Sequence, residues 1–232
     1  MISVIIPAHN EGENLKNLLP YLLKIGQGHP IEIIVARSRE CRDNPQEEKM
    51  DPGIICFQCR EKGRAVQMNA GALKATGHTL VFLHADVLPP ESFFKDIRET
   101  LDGGFDAGFF SYRFDKQNLF LKMNASFTGR DGIFTGGGDQ CLFIRKTIFD
   151  ALGGFDESQV IMEDFEFFKR LKDEKIPYKI VQKDLIVSAR KYRRNSYLRV
   201  NLSNLLLVFL FKLGYPAVKL KTLHNRLIRM PD

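Results

Sequence analysis

This sequence predicts an α/β fold with a mostly parallel central sheet flanked by helices. Three observations predict it. Short β-branched runs alternate with helical stretches over the first hundred residues, the 232 residues match the size of one compact domain, and 44% apolar content with 19 Phe supplies its core. Strand, helix and strand at this rhythm imply parallel strands joined by right-handed crossovers. Such sheets collect ligands at the carboxyl ends of their strands.

The elements follow in order. Ser3 to Ala8, Ile31 to Ala36, Ile54 to Gln58 and Thr79 to His84 read as strands, because β-branched side chains suit a pleated surface. Between them Glu13 to Ile25 and Gly63 to Ala75 carry helical periodicity. The second half changes character. Phe105 to Phe114 and Gln140 to Arg145 read as strands, and Thr147 to Leu152 and Glu163 to Lys172 as helices. Ser196 to Leu213 reads as a long apolar helix stopped by Gly214, Tyr215 and Pro216. No repeat, low-complexity tract or linker divides the halves, which predicts two lobes of one domain.

Composition narrows the function. A net charge of +6, from 34 basic against 28 acidic residues, favours anionic partners and is too mild for a nucleic-acid protein. The opening MISVIIPAHNE has no basic stretch ahead of its apolar residues, which predicts no signal peptide and a cytoplasmic location. The longest apolar run, Leu205 to Phe211, falls far short of the ~20 residues that cross a bilayer. Four cysteines are too few for a disulfide scaffold. Cys56 and Cys59 form a C-x-x-C within an apparent strand, where an odd separation turns them to opposite faces and argues against a metal or redox role. No G-x-G-x-x-G follows the first strand, so a dinucleotide dehydrogenase is not indicated.

Polar residues cluster where the strands end. Pro7, His9, Asn10 and Glu11 follow the first strand, and Lys62 to Arg64 follow the third; Asn10 and Glu11 read equally well as an ordinary helix start. The apolar run VFLHAD ends abruptly in His84 and Asp86, which an extended chain would place on one side. A magnesium or manganese ion at a nucleotide site takes one or two carboxylates from the protein and fills its octahedron with phosphate and water. Asp86 can provide one, and His84 either adds a nitrogen or packs behind it. Further on, Glu163, Asp164 and Glu166 crowd beside apolar residues. They read as an acidic helix start, or as a buried acid with raised proton affinity suited to general-base work.

Five motifs together carry a resemblance. SVIIPAHNE, KGRAVQMNAG, VFLHAD, GGGDQCLFIRKTIFDALGGFDE and MEDFEFFKRL resemble, in order and spacing, the family 2 glycosyltransferases of the GT-A fold. The segment VSARKYRRNSYLRVNLSNLLL further resembles the branch labelled arsenosugar biosynthesis glycosyltransferase. The resemblance implies an inverting, metal-assisted sugar transfer from a nucleotide-diphosphate donor, a UDP-sugar by preference, using Mn2+ or Mg2+. It implies a catalytic domain over 1–190, with a nucleotide-binding half at 1–100 and an acceptor half at 101–190, and a helical tail at 191–232. Pro7, Ala8, Asn10 and Glu11 would line the nucleotide, and Arg64 would touch its phosphates. Asp86 would hold the metal with His84 beside it, where the family has Asp-x-Asp. Gly137, Gly138, Asp139, Gln140 and Glu163 would lie where donor sugar and acceptor meet, and Asp164 would be the base.

One position departs from the family. Ala36 stands where an acid normally follows the second strand and holds the nucleotide base. Glu40 or Asp43 substitutes for it, another nucleotide is used, or activity is lost and the chain is a degenerate nucleotide-sugar or lipid-headgroup binding protein. The tail also has two readings. Its apolar helix packs on the domain or in a dimer contact, or its basic and aromatic residues meet an anionic membrane as a peripheral element, which would suit a lipid-linked acceptor.

Overall fold

Alternation along the central strands builds the fold. The computed structural model describes residues 1–42, 51, 53–116, 119–132 and 135–228. Its elements begin β1 (Ile2–Ala8), α1 (Gly12–Ile25), β2 (Ile31–Arg37), β3 (Ile54–Gln58), α2 (Arg64–Lys74), β4 (Thr79–Phe82), β5 (Val87–Leu88) and α3 (Phe93–Asp102). They continue with β6 (Ala107–Phe114), α4 (Leu119–Ser126), β7 (Leu142–Arg145), α5 (Lys146–Ala151), α6 (Glu163–Asp173) and β8 (Tyr178–Val187). A helical hairpin closes the chain, α7 (Tyr197–Lys212) and α8 (Ala217–Leu227).

Among the described residues the strands form one sheet in the order β3-β2-β1-β4-β7-β6-β8-β5. The first four run parallel, as the crossover rhythm predicts. Beyond β4 antiparallel pairings enter, so the sheet is mixed while staying mostly parallel, as expected. β7 lies antiparallel to both β4 and β6, β6 and β8 are parallel, and β5 closes the edge antiparallel to β8.

Each strand feeds two cores. Val4, Ile6, Ile33, Val35 and Val81 face α1 and α3, whereas Ile5, Ile34, Leu80 and Phe82 face α2, α5 and α6. A period of two lets one strand serve both faces. The α3 helix went unread in the sequence although Phe93, Phe94, Ile97 and Leu101 make a helical stripe on one face. β8 was hidden for a different reason: its exposed positions are Lys, Gln and Asp, which mask the alternation.

Two boundaries matter for function. β4 ends at Phe82, two residues before the expected limit, so His84 and Asp86 sit in a turn. The segment expected as a strand from Gln140 begins instead with a 3-10 turn at Gly138–Gln140, and β7 starts at Leu142. The tail is not separate from the body. Leu207 and Val208 of α7 and Leu220 of α8 pack on Met162, beside Ile161 and Phe165. No helix among the described residues is long and apolar enough to cross a membrane.

Candidate active site

One glutamine ties the ends of the first two strands. Gln67, on the buried face of α2, donates from Nε2 to the carbonyls of Ala8 at 2.9 Å and Ala36 at 2.7 Å. That uses both of its amide hydrogens and fixes the floor of the cleft. Pro7, Ala8 and Ala36 are buried in their strands, so they shape the cleft rather than offer it polar groups. At the rim His9 Nδ1 meets Ser38 Oγ at 2.6 Å, and Asn10 Oδ1 accepts from the Arg42 backbone N–H at 2.9 Å. Asn10 therefore binds the loop after β2 and does not cap α1. Glu40 pairs with Lys62 at 2.8 Å on the surface, and Asp43 lies outside the described residues.

The first cluster centres on Arg64, at the start of α2. Its Nε donates to Glu163 Oε1, its Nη2 donates to Asp164 Oδ2 at 3.2 Å, and its Nη1 lies 3.4 Å from His84 Nε2. The other ring nitrogen of His84, Nδ1, faces Asp139 Oδ1 at 3.7 Å. Asp139 sits well below the usual carboxylate range: burial opposes this, but Lys191, His84 and Arg64 together outweigh it.

The two acids on Arg64 differ in proton affinity. Burial first, and then the neighbouring Glu163, push Asp164 up to about 6 against the pull of Arg64 and His84. For Glu163 burial also opposes ionisation, but the closer Arg64 contact wins and its pKa falls. One carboxylate is thus a fixed anion and its neighbour a base poised near neutrality. Glu163 Oε2 is buried and has no hydrogen-bond partner among the described residues.

The backbone around these acids is strained. Met162 (φ 66°), Cys141 (φ 53°) and Asn10 (φ 56°) take left-handed conformations at the three segments that build the cleft. Each costs roughly 1–2 kcal/mol, a cost that tends to gather at functional sites. Gly138 has a separate reason: a Cβ there would come within 2.5 Å of His84 Cε1 and 2.6 Å of Asp164 Oδ2. Gln140 supports this turn by accepting from the Gly136 N–H and donating to the Thr128 carbonyl.

The second cluster centres on Arg190, from the 3-10 strap Ala189–Arg193 that follows β8. Its Nη2 lies 3.2 Å from Asp86 Oδ2 and 3.1 Å from Glu11 Oε1. Among the described residues no three His, Cys, Asp or Glu gather as metal ligands. Asp86 alone still fits a divalent cation completed by phosphate oxygens and water. Its carboxylate is held by the Arg190 guanidinium, a cation in the place a metal would take.

The structure thus joins Arg64, His84, Gly138, Asp139, Glu163 and Asp164 in one cluster, and Glu11 with Asp86 in another. It does not make a ligand pair of His84 and Asp86, because β4 ends too early and the two side chains face different arginines. Arg64 is committed to carboxylates rather than left free for phosphate. Cys56 and Cys59 are free thiols, both pushed up chiefly by burial. Sequence reasoning missed Gln67, Arg190 and Lys191. A polar residue on the apolar face of a helix could have flagged Gln67; the basic run at 190–194 read only as part of a tail that packs on the domain or in a dimer contact, or meets a membrane.

Known proteins share this architecture. A family model described as glycosyl transferase family 2 matches residues 3–162. A dolichol-phosphate mannosyltransferase of Pyrococcus furiosus is 29% identical over 110 residues, covering 45% of this chain and 31% of that protein, so the match spans about a third of the relative's length. S. aureus TarS in complex with UDP-GlcNAc superposes with a TM-score of 0.65 at 14% identity, over 96% of this chain and 70% of that one. The mannosyltransferase PcManGT from Pyrobaculum calidifontis, in complex with GDP-Man and Mn2+, gives 0.66 at 18% identity, over 96% and 69%. At such identities the likeness establishes the GT-A fold.

Proposed function

This chain belongs to glycosyl transferase family 2, and on that premise we propose that it moves a sugar from a nucleotide-diphosphate donor to an acceptor hydroxyl with inversion. The observation that carries this reading is Asp164: a buried carboxylate with its pKa near 6, held by Arg64 and packed against Gly138, where no side chain could fit.

Asp164 takes the proton from the acceptor hydroxyl as its oxygen attacks the anomeric carbon from the face opposite the leaving diphosphate. General-base assistance of this kind is worth roughly 100-fold to 10,000-fold. Arg64 keeps Asp164 ionised at neutral pH and fixes the enclosed Glu163 beside it. The Gly137–Gly138 backbone lets the sugar lie close to both. Pro7, Ala8, Asn10 and Glu11 shape the nucleotide side. Asp86 would hold the divalent cation, Mn2+ or Mg2+, which when bound supplies Lewis-acid stabilisation of the departing diphosphate. Residues 1–190 form the catalytic unit in this reading, and 191–232 a tail packed against it.

Ala36 favours one second reading, a donor-binding protein without turnover, because the strand position where the family places its base-binding acid carries a buried methyl group. A thermal-shift panel of UDP- and GDP-sugars, with and without Mn2+, tests the donor site. Metal-dependent stabilisation by one of them is expected, and none by any would contradict it. Consumption of the stabilising donor then separates enzyme from binder.

A further inference from the structure

A cavity of about 500 Å³ opens beneath α4, against β6 and β8, apart from both carboxylate clusters. Arg113 and Lys116 line it from the end of β6, Lys122 from α4 and Arg130 from the turn that follows. Its one acid, Asp184, accepts a 2.6 Å hydrogen bond from Ser111 Oγ. No ion pair forms at any of the four cations among the described residues, so the cavity presents four cations against the single carboxylate of Asp184. Such a set of donors matches the oxygens of a phosphate group.

The cavity is connected to the reaction centre. Gly129 forms part of its wall, and the preceding Thr128 carbonyl is held by Gln140, the neighbour of Asp139. Next in the chain to the lining residues Lys122 and Ser126, Met123 of α4 and Phe127 just after it are mostly exposed. Asn124 Nδ2 donates to Asn201 Oδ1 at 3.0 Å, which brings α4 beside α7, where Leu198 and Leu202 are exposed as well. Charge runs the same way along the chain. Of the 34 basic residues ten fall between 185 and 230, where there is no Asp or Glu, which leaves 24 basic against 28 acidic elsewhere. The protein's positive balance therefore lies wholly in the segment that carries α7.

We propose that this cavity is a binding site for a phosphate monoester, and that it receives the anionic group of the acceptor. The second half of that statement rests on the transferase reading above; the site itself does not. A phosphate seated on Arg113, Lys122 and Arg130, with its organic portion passing Met123 and Phe127, directs the acceptor toward the Gly137–Gln140 turn.

The test uses the full chain with no nucleotide present, so its failure is distinct from failure of the donor panel. Titration calorimetry with glycerol 1-phosphate probes a soluble ester, and flotation with phosphatidylcholine vesicles containing phosphatidic acid probes a lipid headgroup. We expect saturable binding in at least one arm, and about tenfold or greater loss in Arg113→Ala and in Arg130→Ala, the size of one charge-assisted hydrogen bond. Vesicle binding alone, abolished by Phe127→Ser, assigns the phosphate to a lipid; calorimetric binding alone assigns it to a soluble ester. The side chains changed are at the surface, and an unchanged circular dichroism spectrum and melting temperature in each variant verify the fold. No binding by the unmodified chain in either arm overturns the proposal, as does binding that Arg113→Ala, Arg130→Ala and Lys122→Glu all leave unchanged.

Discussion

Arg64 and Arg190 each hold two carboxylates, one from within the α/β body and the other from a strap laid across it. The acids on Arg64 are enclosed, with side-chain exposures of 2% for Glu163 and 12% for Asp164. Those on Arg190, Glu11 and Asp86, are each 17% exposed, and the arginines run the other way, Arg64 at 42% and Arg190 at 33%. Burial strengthens charge interactions and penalises any group left unpaired, so the contact with the enclosed Glu163 is held hardest of the four. Glu11 and Asp86 meet somewhat more solvent, and in the proposed function the strap arginine on them gives way to a divalent cation. In that reading the same chemical device tunes a proton in one place and reserves a cation site in the other.

The comparison is broken most severely at Asp164. Asp164→Asn should lower transfer by roughly 100-fold to 10,000-fold while donor binding survives, as donor consumption and calorimetry would show. The same variant should be more stable than the parent at pH 7. An acid whose folded pKa is raised costs stability as pH climbs from its unfolded value near 4 through about 6, and the amide has no such cost. Chemical denaturation at pH 4 and pH 7 checks the sign, since the advantage should shrink at the lower pH.

Asp86→Ala should come next in size. It removes the carboxylate that would anchor the metal, and the Mn2+-dependent part of the donor-induced thermal shift should vanish. Arg64→Ala addresses the tuning. Turnover of the parent should rise with pH through about 6 as Asp164 ionises. Because Arg64 lowers that value, its loss should move the rising limb upward by about one pH unit or more. The smallest effect belongs to the exchangeable clamp. Arg190→Ala should tighten binding of Mn2+ alone by roughly a few-fold, the scale of a partly exposed ion pair, as read by calorimetry without donor.

The contrast also governs what could be read from the chain. β1 to β4 and their helices were legible because each strand is apolar and each helix has one apolar face. The mixed half of the sheet was not, since strand direction after β4 depends on long-range pairing. Glu163, Asp164, Arg64 and Asp86 were singled out by motif. Their partners were hidden: a strand ending at Phe82 separates His84 from Asp86, and Arg190 meets Glu11 across 179 residues. No local pattern encodes a contact of that span. Arg190 was not separated from the rest of the basic tail because Glu11 and Asp86, the residues that single it out, lie far away in the chain.

The central claim, that Asp164 transfers the proton and Asp86 serves the donor end, is tested most directly by one paired measurement. Donor consumption and Mn2+-dependent donor binding are followed together in the parent, Asp164→Asn and Asp86→Ala. The account predicts that Asp164→Asn keeps metal-dependent binding and loses consumption, while Asp86→Ala loses the metal dependence of binding. Undiminished consumption by Asp164→Asn would contradict it.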